Sequence, residues 1–121
     1  MAISFGTITF DTTDARALAA WWAERTGAPV VFDAEGEYVL GAGQGQVGLA
    51  FQRVDEPTPG KNRVHLDLTT TDLDAEVAGF VAAGAEVVGE YTEPFRWVTL
   101  SDPDGNVFCI ADHAAAGATL L

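Results

Sequence analysis

The strongest constraint on this chain's fold is an internal repeat. At a spacing of 58 residues, Ile8 falls over Leu66, Phe10 over Leu68, Thr13-Asp14 over Thr71-Asp72, Ala17 over Ala75, Ala20 over Ala78 and Trp22 over Phe80. One residue then drops out, and Gly27-Ala28 falls over Gly84-Ala85 with Val30-Val31 over Val87-Val88. What recurs is an order of elements: a strand, a capped helix, a glycine stop, then three strands. Each half is therefore a βαβββ unit. One such unit has a curved sheet with an open face, so two must pair to close a cavity. The expected fold is α+β: two paired βαβββ modules forming a curved, partly closed, barrel-like mixed sheet with the helices outside.

The local signals support each element. Residues 3–11 alternate, with Ile8 and Phe10 facing one way and Thr7 and Thr9 the other. Residues 15–26 form an Ala-rich helix stopped by Gly27, and residues 73–83 form a second helix stopped by Gly84. Short strands are expected at 29–32, 37–40 and 86–88, and longer ones at 47–54 and 63–69. The Pro- and Gly-rich stretch 56–62 reads as a linker between module 1 (about residues 1–55) and module 2 (about 63–113) of a single domain. Residues 114–121 read as a small, apolar tail.

Asp102-Pro103-Asp104-Gly105-Asn106 is turn chemistry between two apolar strands. A five-residue loop sets Ser101 opposite Val107, Thr99 opposite Cys109 and Trp97 opposite Ala111. Alternation then gives one face Val98, Leu100, Phe108 and Ile110, which is a core face. The other face carries Trp97, Thr99, Cys109 and Ala111, and reads as the wall of a pocket.

Composition narrows the function. With 18 acidic and 6 basic residues, the formal charge is -12. Such a surface repels phosphate backbones and anionic membranes, so neither nucleic acid nor membrane is an expected partner. It would attract a cationic ligand, although surface acids chiefly confer solubility. No apolar run approaches the ~20 residues of a membrane span. The first five residues carry no basic stretch ahead of an apolar one, so no signal peptide is expected. A single cysteine excludes an internal disulfide and fits a reducing compartment, so a cytoplasmic location is expected.

The paired βαβββ order, the strand Val64-His65-Leu66-Asp67-Leu68 running to Thr71-Asp72, and the late Asp-Pro-Asp-Gly-Asn hairpin together resemble the vicinal oxygen chelate superfamily. The resemblance covers almost the whole chain. It is nearest to the short glyoxalase-like domains of the glyoxalase and bleomycin-resistance type. Metal-using members of that superfamily place one ligand on the first and one on the last strand of each unit, and these hold a divalent ion that chelates substrate oxygens. Carried over by position, those sites are Thr7, His65, Cys109 and a residue near the end of the 47–54 strand, which is Leu49 with Gly45 set over Gly105 or Gln52 after a slip. Only His65 matches well. The Thr7, His65 and Cys109 positions therefore read as vestigial metal sites, and no cofactor is expected. A divalent metal is the competing expectation.

The residues leave specific alternatives open. His65 is either a hydrogen-bonded structural histidine or a ligand-contacting acid/base, with Asp67 as its orienter. Cys109 is either a small buried hydrophobe or a nucleophile paired with His65. Trp97 with Tyr38, Phe51, Tyr91 and Phe95 would supply flat walls for an aromatic ligand. The ligand-binding set expected from sequence is therefore Thr7, Tyr38, Leu49, Phe51, His65, Asp67, Trp97, Thr99 and Cys109, with His65 and Cys109 as candidate catalytic groups. The leading reading is a metal-free protein that binds a small organic molecule and sequesters an antibiotic or other aromatic metabolite. By resemblance, it would be a homodimer. The competing reading is an enzyme of the same fold, either a glyoxalase-type metal-dependent lyase or isomerase or a metal-free acid/base catalyst using His65.

Overall fold

The computed structural model describes residues 5–43 and 45–112. The expected tail and His113 lie outside them. The chain divides between Pro59 and Gly60 into two compact units.

In the first unit, β1 (Thr7–Thr12) leads into α1 (Ala15–Thr26), followed by β2 (Val30–Asp33), β3 (Tyr38–Gly41) and β4 (Gly48–Arg53). The second unit repeats the order with β5 (Leu66–Thr70), α2 (Leu73–Ala82), β6 (Glu86–Tyr91), β7 (Trp97–Ser101) and β8 (Val107–Asp112). Each unit builds its own four-stranded sheet, ordered β1-β4-β3-β2 in one and β5-β8-β7-β6 in the other. The first and last strands of each unit pair in parallel, and the remaining pairs are antiparallel. This corrects the expectation of one barrel-like sheet. β1 and β2, like β5 and β6, end their sheets as edge strands, so the hydrogen bonding yields two separate open mixed sheets with one helix each.

The repeat extends to individual hydrogen bonds. Asp14 caps α1 by accepting from the Ala17 amide at 3.1 Å, and Asp72 caps α2 by accepting from the Ala75 amide at 3.2 Å. The Thr12 hydroxyl accepts from the Asp14 amide, as Thr70 does from Asp72, at 3.2 and 3.1 Å. Gly27 ends α1 at φ 73°, a left-handed conformation that glycine adopts without a Cβ penalty.

Each core lies between a helix and its sheet. In the first unit Leu18, Ala19 and Trp22 of α1 are buried with Val39 and Phe51. Phe10 stacks on Phe51 with ring centroids 5.1 Å apart and meets Trp22 at 5.7 Å. In the second unit Phe80 packs on Phe108 at 5.3 Å, with Leu73, Val98, Leu100 and Ile110 buried around them. Val98, Leu100, Phe108 and Ile110 are thus the helix-side face, as alternation along the hairpin predicts.

β6 runs three residues longer than the sequence reading of 86–88. A bulge between Val87 and Gly89 leaves Val88 without a cross-strand partner, and the strand continues through Gly89, paired with Thr99, to Tyr91. That extension sets Tyr91 directly beside Trp97. At the other end of the sheet, β5 begins at Leu66. The segment before it is tied down by Asn62, whose Oδ1 accepts from the Val107 amide at 2.8 Å while its Nδ2 donates to the Val107 carbonyl at 3.1 Å.

Candidate functional site

The second sheet carries a cleft on its face away from α2. The hairpin decides what faces it. Asp102 is buried, and its carboxylate accepts from the amides of Asp104 and Asn106 at 2.9 and 2.8 Å and from the Asn106 side-chain amide. Gly105 takes φ 86° and donates its amide to the Asp102 carbonyl at 2.9 Å. This turn fixes the register at Ser101–Val107, Thr99–Cys109 and Trp97–Ala111, the pairing that loop length predicts. Trp97, Thr99, Cys109 and Ala111 accordingly line one cleft of about 580 Å³.

Three further elements complete it. From β5 and the residue before it come Asp67 and His65, and from β6 comes Tyr91. Pro94 and Phe95 enter from the β6–β7 connection. The Tyr91 and Trp97 rings stack with centroids 4.7 Å apart and planes 19° from parallel, and Phe95 meets Trp97 at 5.7 Å. Gly89 makes room for this. A Cβ at Gly89 would stand 2.6 Å from the Tyr91 hydroxyl and 3.0 Å from its ring, so the ring lies folded over the glycine. Lys61 adds a cationic group at the cleft.

The polar end has definite geometry. His65 Nε2 lies 3.3 Å from Asp67 Oδ1. Cys109 Sγ lies 3.4 Å from Thr99 Oγ1. A ring nitrogen of His65, a carboxylate oxygen of Asp67 and Cys109 Sγ all fall within 4.8 Å of one another. Among the described residues no other group of three or more His, Cys, Asp or Glu side chains is this close. A nitrogen, oxygen and sulfur donor set fits a borderline ion such as zinc better than the hard ions that oxygen-only sites hold. Both His65 and Asp67 are open to solvent, with side chains 43% and 68% exposed.

Of the residues expected from sequence, His65, Asp67, Trp97, Thr99 and Cys109 share this cleft. Thr7, Tyr38, Leu49 and Phe51 belong to the first unit. There, Thr7 and Thr9 occupy the repeat positions of His65 and Asp67, with their hydroxyls 3.4 Å apart. Ala50 pairs with Thr9 as Cys109 pairs with Asp67, so Ala50, and not Leu49, is the counterpart of Cys109. Setting Gly45 over Gly105 slips the strand by one residue, which turns every side chain to the opposite face. Leu49 pairs with Ile8 and Phe51 with Phe10, on the side facing α1. Phe51 is 1% exposed within that core, so its assignment to a ligand wall is corrected. Tyr38, paired with Gln52 as Trp97 is with Ala111, does lie on the face away from α1 together with Thr7.

A family model for the glyoxalase-like domain matches residues 7–111. The chain belongs to the glyoxalase-like domain family. No curated protein sequence matches it significantly. Solved structures of similar fold include a glyoxalase/bleomycin resistance protein/dioxygenase family enzyme from Burkholderia phytofirmans PsJN, at TM-score 0.77 and 19% identity, covering 91% of this chain and 98% of that one. The fosfomycin resistance protein FosX from Listeria monocytogenes aligns at TM-score 0.76 and 15% identity, over 93% of this chain and 94% of its own. TnmS3, an antibiotic binding protein from Streptomyces sp. CB03234, aligns at TM-score 0.65 and 27% identity, over 93% and 98%. This glyoxalase-like chain therefore shares its fold with both enzymes and binding proteins.

Several cleft residues escape the sequence reading. Lys61 and Pro94 sit in loops, where no periodicity assigns a direction. Val107 follows from the same alternation that places Cys109 and Ala111. Among the described residues no helix is long and apolar enough to cross a membrane.

Proposed function

We propose that this protein binds a flat, conjugated small molecule in the second-unit cleft and holds it without a resident metal. The observation that carries the reading is the stacked Tyr91–Trp97 pair, with Phe95 beside it, walling a cleft of about 580 Å³. That volume suits a drug-sized ligand, and aromatic faces gain both apolar burial and stacking from one. The antibiotic binding protein among its structural neighbours supports the same class of ligand, an antibiotic or other aromatic metabolite. The first-unit counterparts Thr7, Thr9 and Ala50 support the metal-free reading, because none of them is a good metal ligand.

A second reading is favoured by the His65, Asp67 and Cys109 trio. In a glyoxalase-type lyase or isomerase these residues would hold a divalent ion, which would act as a Lewis acid on substrate oxygens. Without an ion, His65 oriented by Asp67 would be the acid/base group.

Titration with 1-naphthol, followed by tryptophan fluorescence and calorimetry, tests the leading reading. Wild-type protein is expected to bind. Trp97→Ala should weaken binding about tenfold or more, since it removes both stacking and buried area. His65→Ala should bind nearly as well as wild type. Elemental analysis showing one tightly held divalent ion per chain, with binding lost in His65→Ala, would overturn the reading in favour of the metal-dependent enzyme.

A further inference from the structure

The polar end of the cleft is arranged for more than hydrogen bonding. Cys109 is the chain's one cysteine, and it is half-buried and opens onto the cleft. Thr99 Oγ1 lies 3.4 Å from its sulfur, where the hydroxyl can donate to a thiolate. Within 4.8 Å of the sulfur lie a His65 ring nitrogen and an Asp67 carboxylate oxygen. Asp67 Oδ1 stands 3.3 Å from His65 Nε2, on the imidazole's cleft side. A thiol, a base and a carboxylate are the parts of a nucleophile constellation, whose contacts in free enzymes are often longer than in the substrate complex. The stacked aromatic wall lies in the same cleft, so a flat ring held there would sit within reach of the sulfur.

We infer that Cys109 captures planar electrophiles of the quinone type covalently, with His65 transferring the proton. This rests on the reading of the cleft as a site for flat conjugated ligands. The step is a conjugate addition. An Sγ–C bond forms at the ring carbon β to a carbonyl, and the C=C electron pair moves onto that carbonyl oxygen. The thiol proton, taken up by His65, passes to the same oxygen. The proton on the attacked carbon then shifts to the second carbonyl oxygen, giving the hydroquinone thioether. Nothing leaves, and no outside oxidant or reductant enters. Thr99 positions the sulfur, and Asp67 positions the imidazole.

Reaction of wild-type protein with 1,4-naphthoquinone in the absence of air, followed by intact-mass spectrometry, is the test. The same naphthol titration run alongside separates the two readings. Wild type should gain one whole quinone mass, about 100-fold faster than N-acetylcysteine under the same conditions, a factor within the range of positioned acid/base catalysis. Cys109→Ser should gain none at that rate. His65→Gln should slow the addition step, measured at saturating quinone, about tenfold or more. If wild type binds 1-naphthol but adds the quinone no faster than N-acetylcysteine, covalent capture is overturned and the binding reading stands. Fast addition that is unchanged in His65→Gln overturns the Cys–His pairing. Failure of both probes overturns both readings.

Discussion

Replacing Asp102 with alanine tests how the turn holds the cleft. One buried carboxylate there receives two backbone amides, from Asp104 and Asn106, and the Asn106 side-chain amide. Hydrogen bonds to a charged acceptor contribute about 1.5–3 kcal/mol each when shielded. Asp104 is exposed and Asn106 half-buried, so water replaces part of what is lost. Asp102→Ala is therefore expected to cost about 2–4 kcal/mol in total. Asp102→Asn retains an acceptor oxygen for the backbone amides and should cost roughly half as much. Equilibrium urea unfolding followed by circular dichroism measures both. Because the turn sets Thr99 opposite Cys109, the alanine variant should also weaken 1-naphthol binding. A loss of less than about 0.5 kcal/mol for Asp102→Ala, the range of an ordinary surface change, would refute the claim that the carboxylate organises the turn. Equal losses in the two variants would refute the hydrogen-bond account.

Other expectations concern the core, the wall and the surface charges. Phe80→Ala removes the helix-side partner of Phe108 and should cost about 3–5 kcal/mol by urea unfolding, as large-to-small core changes do. Gly89→Ala should push the Tyr91 ring off its seat beside Trp97. It should therefore weaken 1-naphthol binding while changing stability by about 1 kcal/mol or less, because the group that must move is an exposed side chain. The Asp74 carboxyl is held below its ordinary value of 3.8 by the hydrogen bond and charge of Arg96. The ionised form is thus favoured in the folded chain. Its contribution is present above the unfolded value and is lost as pH falls through the depressed folded one. Arg96→Ala should return the Asp74 titration toward 3.8 in a carboxyl NMR experiment, and added salt should shrink the difference between the two proteins.

Much of the second unit was legible because its signals are local. The Asp72 cap, the Gly84 stop and the Asp102–Asn106 turn each act over a few residues, and the turn carries register with it. Once register is fixed, alternation assigns every residue of β7 and β8 to a face, which is why Trp97, Thr99 and Cys109 were placed together. The first unit offered no such anchor between β3 and β4. Its Gly41–Gly45 loop has several glycines on which an alignment can rest, and the choice of Gly45 slipped β4 by one residue. Two βαβββ units, their capped helices and the pocket wall of the second hairpin thus follow from local sequence signals. Strand pairing in the folded chain decided that Phe51 belongs to the core against Phe10 and that Ala50 is the counterpart of Cys109. It also decided that β6 continues past a bulge between Val87 and Gly89 to bring Tyr91 over Trp97. Parallel pairing of β1 with β4 depends on a partner distant in the chain, and the bulge in β6 on its register against β7; no alternation within either strand encodes them.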